Sequence, residues 1–174
     1  MKRISLLILM IMCAAGFALG QTAVEKPQVT GSPLDGTWRA VIAKSQRDPN
    51  HHFESLTINF ATSGDAVVLT YAGVNRAGKQ EGSTRTLYPD GKERSIREAP
   101  GYVEATRWLS PTALESVGKK DGKEAGRSTY ELSQDSKVLT AKVKGIDAKG
   151  RSFEQVIVFE RGVFRDKQFP QNQR

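Results

Sequence analysis

From Leu34 to Arg161 the chain alternates, with apolar side chains recurring at every second position in short runs separated by glycine-containing turns. Trp38, Ala40 and Ile42 alternate with Arg39 and Val41, and Leu56, Ile58 and Phe60 with Thr57 and Asn59. Val67, Leu69 and Tyr71 follow, then Leu139, Ala141 and Val143, and finally Phe153, Ile157 and Phe159. A period of two, in runs rich in Val, Ile, Thr and aromatics, belongs to half-buried antiparallel strands. It leaves little room for helices. The best helical stretch, Pro111 to Ser116, reaches Gly118 after barely one turn.

The punctuation between runs has the same meaning. Ala77-Gly78-Lys79, Asp90-Gly91-Lys92, Asp121-Gly122-Lys123 and Lys149-Gly150-Arg151 each place a glycine and then a basic residue where one run gives way to the next. Glycine supplies the positive φ of tight hairpin turns, and a preceding Asp favours the same conformations. The basic residue keeps the exposed start of the following strand soluble. Strands are therefore predicted near 36–45, 53–61, 66–75, 80–88, 93–97, 102–109, 113–119, 124–132, 137–146 and 151–161. An all-β, up-and-down meander of about eight to ten strands tends to curl into a barrel, because closure removes unpaired edges. The interior of such a barrel is filled by side chains or holds one small ligand.

The first twenty residues stand apart. Lys2 and Arg3 precede an apolar stretch from Ile4, and Ala18-Leu19-Gly20 ends it with small residues, as a secretory signal peptide does. The stretch is shorter than the roughly 20 residues needed to span a bilayer. Cys13, the chain's one cysteine, follows Ile11 and Met12 rather than the small residues that lipid attachment needs. Cleavage before Gln21 is expected, giving a secreted or periplasmic protein. It would remove Lys2, Arg3 and Cys13, leaving 24 basic against 19 acidic residues and no cysteine. Without a thiol, disulfides, thiol catalysis and cysteine zinc sites are all excluded from the mature chain. The expected organisation is a signal peptide (1–20), a polar leader (21–33), the barrel (34–164) and a polar tail (165–174).

Catalytic constellations are not apparent. His51 and His52 are adjacent, and neighbours in an extended segment point opposite ways, so an exposed loop is expected rather than a metal site. No G-x-S-x-G elbow accompanies them. Glu98, Glu104, Glu115, Glu131 and Glu154 are scattered among polar neighbours and read as solvated strand faces rather than a paired-carboxylate site. No enzyme activity, cofactor or metal is expected. Arg85, Lys92, Arg94, Arg97 and Arg107, with Tyr88, Tyr102 and Trp108, make the middle third basic and aromatic, a pattern that can bind single-stranded nucleic acid. In a secreted protein, an anionic envelope component is the better match for that charge.

Two ends of the chain carry a resemblance. Leu34-Asp35-Gly36-Thr37-Trp38 opens the first strand and Phe159-Glu160-Arg161 closes the last. A Gly-x-Trp start to a secreted β-meander of this size resembles the lipocalin-type (calycin) barrels. The start through Ala43-Lys44-Ser45, with its succession of Gly-Lys turns, is similar to secreted bacterial lipocalin-like proteins. The resemblance covers most of the chain after the leader. It implies that Trp38 plugs the closed end, that Arg161 packs across its ring, and that Gly36 belongs to the same closure. An arginine over an indole gains a cation–π contact and covers apolar surface.

If the barrel takes a small apolar or amphipathic ligand, its anchors should be polar groups in phase with the interior. Tyr71 is in phase with Leu69, Tyr130 with Leu132, Gln155 with Ile157, and Arg107 with Ala105 and Leu109. Trp108 falls on the face opposite Arg107, so one of the two must point outward. The alternative is a non-catalytic envelope interaction module that uses its outer strands or basic rim. It predicts a solid core and an exposed apolar patch at Val68, Val156 and Val158.

Overall fold

The computed structural model describes residues 31–162 apart from Asn50, His52, Glu98 and Ala148. The expected signal peptide, most of the leader and the tail 165–174 lie outside the described residues, as does His52. Ten strands follow in chain order: β1 (Gly36–Ala40), β2 (Phe53–Ser63), β3 (Ala66–Asn75), β4 (Gln80–Leu87), β5 (Arg94–Ser95), β6 (Tyr102–Ser110), β7 (Ala113–Lys120), β8 (Lys123–Leu132), β9 (Val138–Ile146) and β10 (Ser152–Arg161). All pair antiparallel in one sheet of order β4-β3-β2-β1-β10-β9-β8-β7-β6-β5. The meander is up-and-down, and β1 joins its two ends by pairing with both β2 and β10.

The first strand is shorter than its apolar alternation predicts. β1 stops at Ala40, and Ile42–Lys44 form a 3₁₀ turn. The interruption is built into the pairing with β10. Val41 N–H donates to the Val158 carbonyl at 2.8 Å, and Gln46 exchanges two 2.8 Å bonds with Val156. Ser45 fills the gap between them: its hydroxyl donates to Val41 O at 2.9 Å and accepts from Val158 N–H at 3.1 Å. Pairing thus resumes beyond the turn, and the connection to β2 is led across the end of the barrel.

The sheet curls round a core that sits at one end. Leu34, Trp38, Phe60, Val67, Leu87, Leu114, Leu139 and Phe159 are almost wholly buried there. Trp38 donates its indole N–H to Leu34 O at 2.8 Å, which satisfies the one polar atom of a buried indole. Asp35 ties the entry of β1 to the β2–β3 hairpin by accepting from Thr62 N–H and Oγ1 at 2.9 and 2.8 Å. Strand direction places the turns at Gly64, Gly91, Pro111 and Asp135 at this closed end. The turns at Gly78, Gly122 and Gly150 lie at the other, with the β1–β2 connection.

Among the described residues no backbone ladder joins β4 to β5 or β6. This seam is bridged at the closed end by Gly91 N–H, which donates to Thr106 O at 2.8 Å. Higher up, side chains take over: Arg85 of β4 forms an ion pair with Glu104 of β6. Above the Gly91–Thr106 bond, the seam is therefore held by side chains rather than by a main-chain ladder.

Candidate functional site

Cross-strand register identifies the inner face. Trp38 stands opposite Ile58 and Arg161, Ile58 opposite Tyr71, Leu69 opposite Arg85, and Gln155 opposite Val143. On the other side Glu104 stands opposite Gly118, Thr106 opposite Ser116, Trp108 opposite Leu114, and Leu114 opposite Tyr130. Side chains on these positions share one face, because a residue's neighbour across an antiparallel ladder points the same way.

Burial divides this inner face into a floor and an open upper half. The floor side chains are dry, whereas Tyr71 retains 38% of its surface and the Arg85 side chain the same fraction. An inward tyrosine exposed to that degree means that water reaches the interior at its level. A row of glycines, Gly118, Gly126 and Gly145, crosses β7, β8 and β9 in register. Gly118 is the roomiest of them: a Cβ there would meet only the Gly126 carbonyl, at 3.8 Å. At Gly145 the missing Cβ makes way for the Phe153 ring, whose edge would lie 3.1 Å from it.

The upper lumen has two unlike walls. On β4, β6, β7 and β8 the wall is polar. Arg85 is paired with Glu104, whose second oxygen accepts from Ser116 Oγ at 2.5 Å, and Ser116 in turn lies 3.1 Å from Thr106 Oγ1. Tyr130 continues this wall, edge-on to Phe60 at 5.1 Å between centroids. Desolvation holds its phenol above the usual tyrosine range, while the charge of Arg85 and a hydrogen bond with Ser128 act the other way. On β2, β3 and β10 the wall is mainly apolar: Leu56, Ile58, Phe153 and Ile157, with Tyr71 and Gln155 as its polar groups. The Gln155 Oε1 atom is buried and has no hydrogen-bond partner among the described residues.

The mouth is crossed by the connection from β1 to β2. His51 stacks on Phe153 with centroids 4.1 Å apart, and its Nδ1 lies 3.0 Å from Asp48 Oδ1. Beneath it a cavity of about 380 Å³ is lined by His51, Phe53, Leu56, Tyr71, Gly73 and Glu81, among others. A second cavity, about 280 Å³, opens along the seam between Arg85, Tyr88, Arg94, Ile96 and Glu104. The first lies within the range of small-molecule sites and the second just below it.

Of the pocket residues expected from sequence, Tyr71, Tyr130 and Gln155 lie on the inner face. Arg107 does not. It sits on the outer face with 61% of its side chain exposed, and donates to Glu115 at 3.0 Å. Trp108 points inward and packs against the core. The phase is set by Thr106, which must meet Ser116 inside, so Ala105, Arg107 and Leu109 are turned out. Gly36, Trp38 and Arg161 meet at the closed end: the Arg161 guanidinium lies 4.3 Å over the indole, and a Cβ at Gly36 would come within 3.0 Å of Arg161 Nη1.

Two glutamates that read from sequence as solvated are not. Glu104 is in the lumen, and Glu115, though on the outer face, is only 6% exposed. Arg107 and Arg127 enclose Glu115 from the two neighbouring strands. Burial raises its carboxyl pKa, but the hydrogen bonds from Arg127 and Arg107 outweigh that and hold it below the ordinary glutamate range. Arg85, Glu104, Thr106 and Ser116 join the site without having been expected there from sequence. The signal present is that Arg85 shares its phase with Leu87, and Glu104 with Thr106 and Trp108.

No protein-family model matches the chain, and no curated protein matches it in sequence. Among solved structures, a mutant of the fluorescent protein UnaG is similar over 76% of this chain and 98% of its own, at 15% identity and a TM-score of 0.52. Wild-type UnaG gives 16% identity, 74% and 96% coverage, and a TM-score of 0.51. Zebrafish ileal bile acid-binding protein complexed with cholic acid matches less closely, with 13% identity, 75% and 100% coverage, and a TM-score of 0.46. The fold is a lipocalin-like barrel.

Proposed function

We propose that this chain is a secreted or periplasmic lipocalin-like protein that holds a small apolar or amphipathic molecule in the upper lumen of its barrel. The single observation that carries the reading is Tyr71: an inward side chain, 38% exposed, lining a cavity of about 380 Å³ above a fully packed floor. A lumen with one apolar wall and a few polar groups, open to solvent at Tyr71, gains free energy when apolar surface displaces water from it, at roughly 25 cal/mol per Å². The stacked pair His51 and Phe153 stands where a ligand would enter. Secretion rests on the sequence of residues 1–20 alone.

Binding through the outer face is the less supported alternative. Its solid core is not what the exposure of Tyr71 describes. Val68, Val156 and Val158 are each partly covered rather than exposed. Much of the outer basic charge on β6 to β9 is already paired, with Arg107, Arg127 and Lys144 held by Glu115 and Glu124.

Native mass spectrometry of protein isolated from the periplasm of its own host tests the proposal. A co-purified small molecule, released on denaturation, is the expected result. Protein found only in the cytoplasm with residues 1–20 intact overturns the localisation.

A further inference from the structure

Resting on the lumen reading, the charge and hydrogen-bond state of the inner wall restricts the ligand's chemistry further. We propose that the lumen selects a neutral amphiphile whose polar end donates a hydrogen bond, an amide or an alcohol, and rejects one that ends in a carboxylate.

Arg85 is the cation at mid-lumen, and it is paired with Glu104 across the seam. Both oxygens of Glu104 are engaged, one by Arg85 and the other by Ser116. The pair is neutral as a unit. A ligand carboxylate brought to Arg85 would lie beside a second carboxylate, where like charges repel.

Of the other cations, Arg97 lines the seam cavity from an exposed, solvated position, and the rest are held elsewhere. Arg94 is held at the seam by both oxygens of Asp90, at 2.7 and 2.9 Å, and lies 4.6 Å over the Tyr88 ring. Arg161 is at the floor, over Trp38. At the rim, Arg47 donates to Phe53 O at 2.7 Å and Lys120 lies 5.3 Å from the Tyr102 ring. An ion pair formed at that rim is solvated and contributes little. The inner-phase charge nearest the mouth on β4 is acidic: Glu81, accepting from Asn75 at 2.7 Å.

Against this neutral background stands one unmet need. Gln155 Oε1 is a buried acceptor with no donor among the described residues. Leaving such an atom unpaired is costly, and a ligand N–H or O–H would recover that cost. A carboxylate has no proton to give. Tyr71 and Ser83, opposite one another on β3 and β4, supply further hydroxyls on the same face.

The test compares three ten-carbon probes that differ only in the polar end: decanamide, 1-decanol and decanoate at pH 7.5. Each competes with the neutral fluorophore N-phenyl-1-naphthylamine for the full mature chain. The amide and the alcohol should displace the fluorophore at concentrations about tenfold lower than decanoate, the ratio that one satisfied buried acceptor produces. Gln155→Leu should weaken decanamide severalfold and leave decanoate unchanged. Glu104→Gln, which frees Arg85, should strengthen decanoate and narrow the gap. Should Glu104→Gln fail to fold, the wild-type ranking and Gln155→Leu still decide. Decanoate binding the wild-type protein as tightly as decanamide overturns the inference while leaving the lumen reading intact. No uptake of the fluorophore by wild-type protein overturns both.

Discussion

The Arg161 guanidinium lies 4.3 Å over the Trp38 ring and donates to the carbonyls of Asp35 and Pro33 at 2.8 and 2.9 Å. The last strand is thereby clamped to the segment that precedes the first, across the buried end of the barrel. Trp38→Ala removes the largest side chain of the floor, and should lower unfolding free energy by about 3–5 kcal/mol. Arg161→Met keeps much of the packing over the ring but loses the charge and the three hydrogen bonds to Asp35, Pro33 and Ser136, and should cost about 1–3 kcal/mol. Urea denaturation of both variants measures this; an unchanged midpoint for Trp38→Ala removes the assignment of the floor.

The outer face makes stability depend on pH. The carboxyl of Glu115 has its folded pKa lowered from 4.5, so its contribution is fully present above that value and is lost as pH falls through the folded one. Glu115→Gln should destabilise by about 1–3 kcal/mol at pH 7, since charged hydrogen bonds from two arginines are lost. The difference between variant and wild type should shrink at pH 3 and below. A difference that stays constant from pH 7 to pH 2.5 would show that the two ion pairs contribute nothing.

Tyr130 gives the lumen a spectroscopic probe. Desolvation raises its phenol above the ordinary tyrosine range, so ultraviolet absorbance should show a late ionisation phase that belongs to Tyr130. Tyr130→Phe should remove the late phase. If the late phase survives that substitution, the phenol is hydrated and the upper lumen is wider than its packing against Phe60 implies.

How far the sequence alone leads depends on what each residue's position rests on. Trp38, Tyr71 and Gln155 follow from period-two alternation within a single strand, which is a local property, and the ten strands are likewise legible in runs and glycine turns. Arg107 and Trp108 are not. β6 carries Val103, Ala105 and Leu109 in one phase and Thr106 and Trp108 in the other, so alternation within the strand does not choose between them. The choice is made by Ser116 and Leu114 across the ladder. Glu104 and Glu115 escape a local reading for a related reason: a glutamate among polar neighbours is ordinarily solvated, and the arginines that bury these two come from other strands. Arg85 is nineteen positions from Glu104, and Arg127 is twelve from Glu115. The β1 interruption at Ile42–Lys44 is hidden because its apolar alternation continues through a turn that only pairing with β10 reveals.

Filling the lumen without touching its anchors tests the central claim most directly. Gly118 lies in register with Glu104 and Gly126, and a Cβ there would make only an ordinary contact, 3.8 Å from the Gly126 carbonyl. Wild-type protein and Gly118→Phe are titrated with N-phenyl-1-naphthylamine, and both are unfolded in urea. Saturable uptake of one fluorophore per wild-type chain is expected, with loss of at least nine-tenths of that affinity in Gly118→Phe (about 1.4 kcal/mol) and the unfolding midpoint nearly unchanged. Equal uptake by both proteins, or none by the wild type, would contradict it.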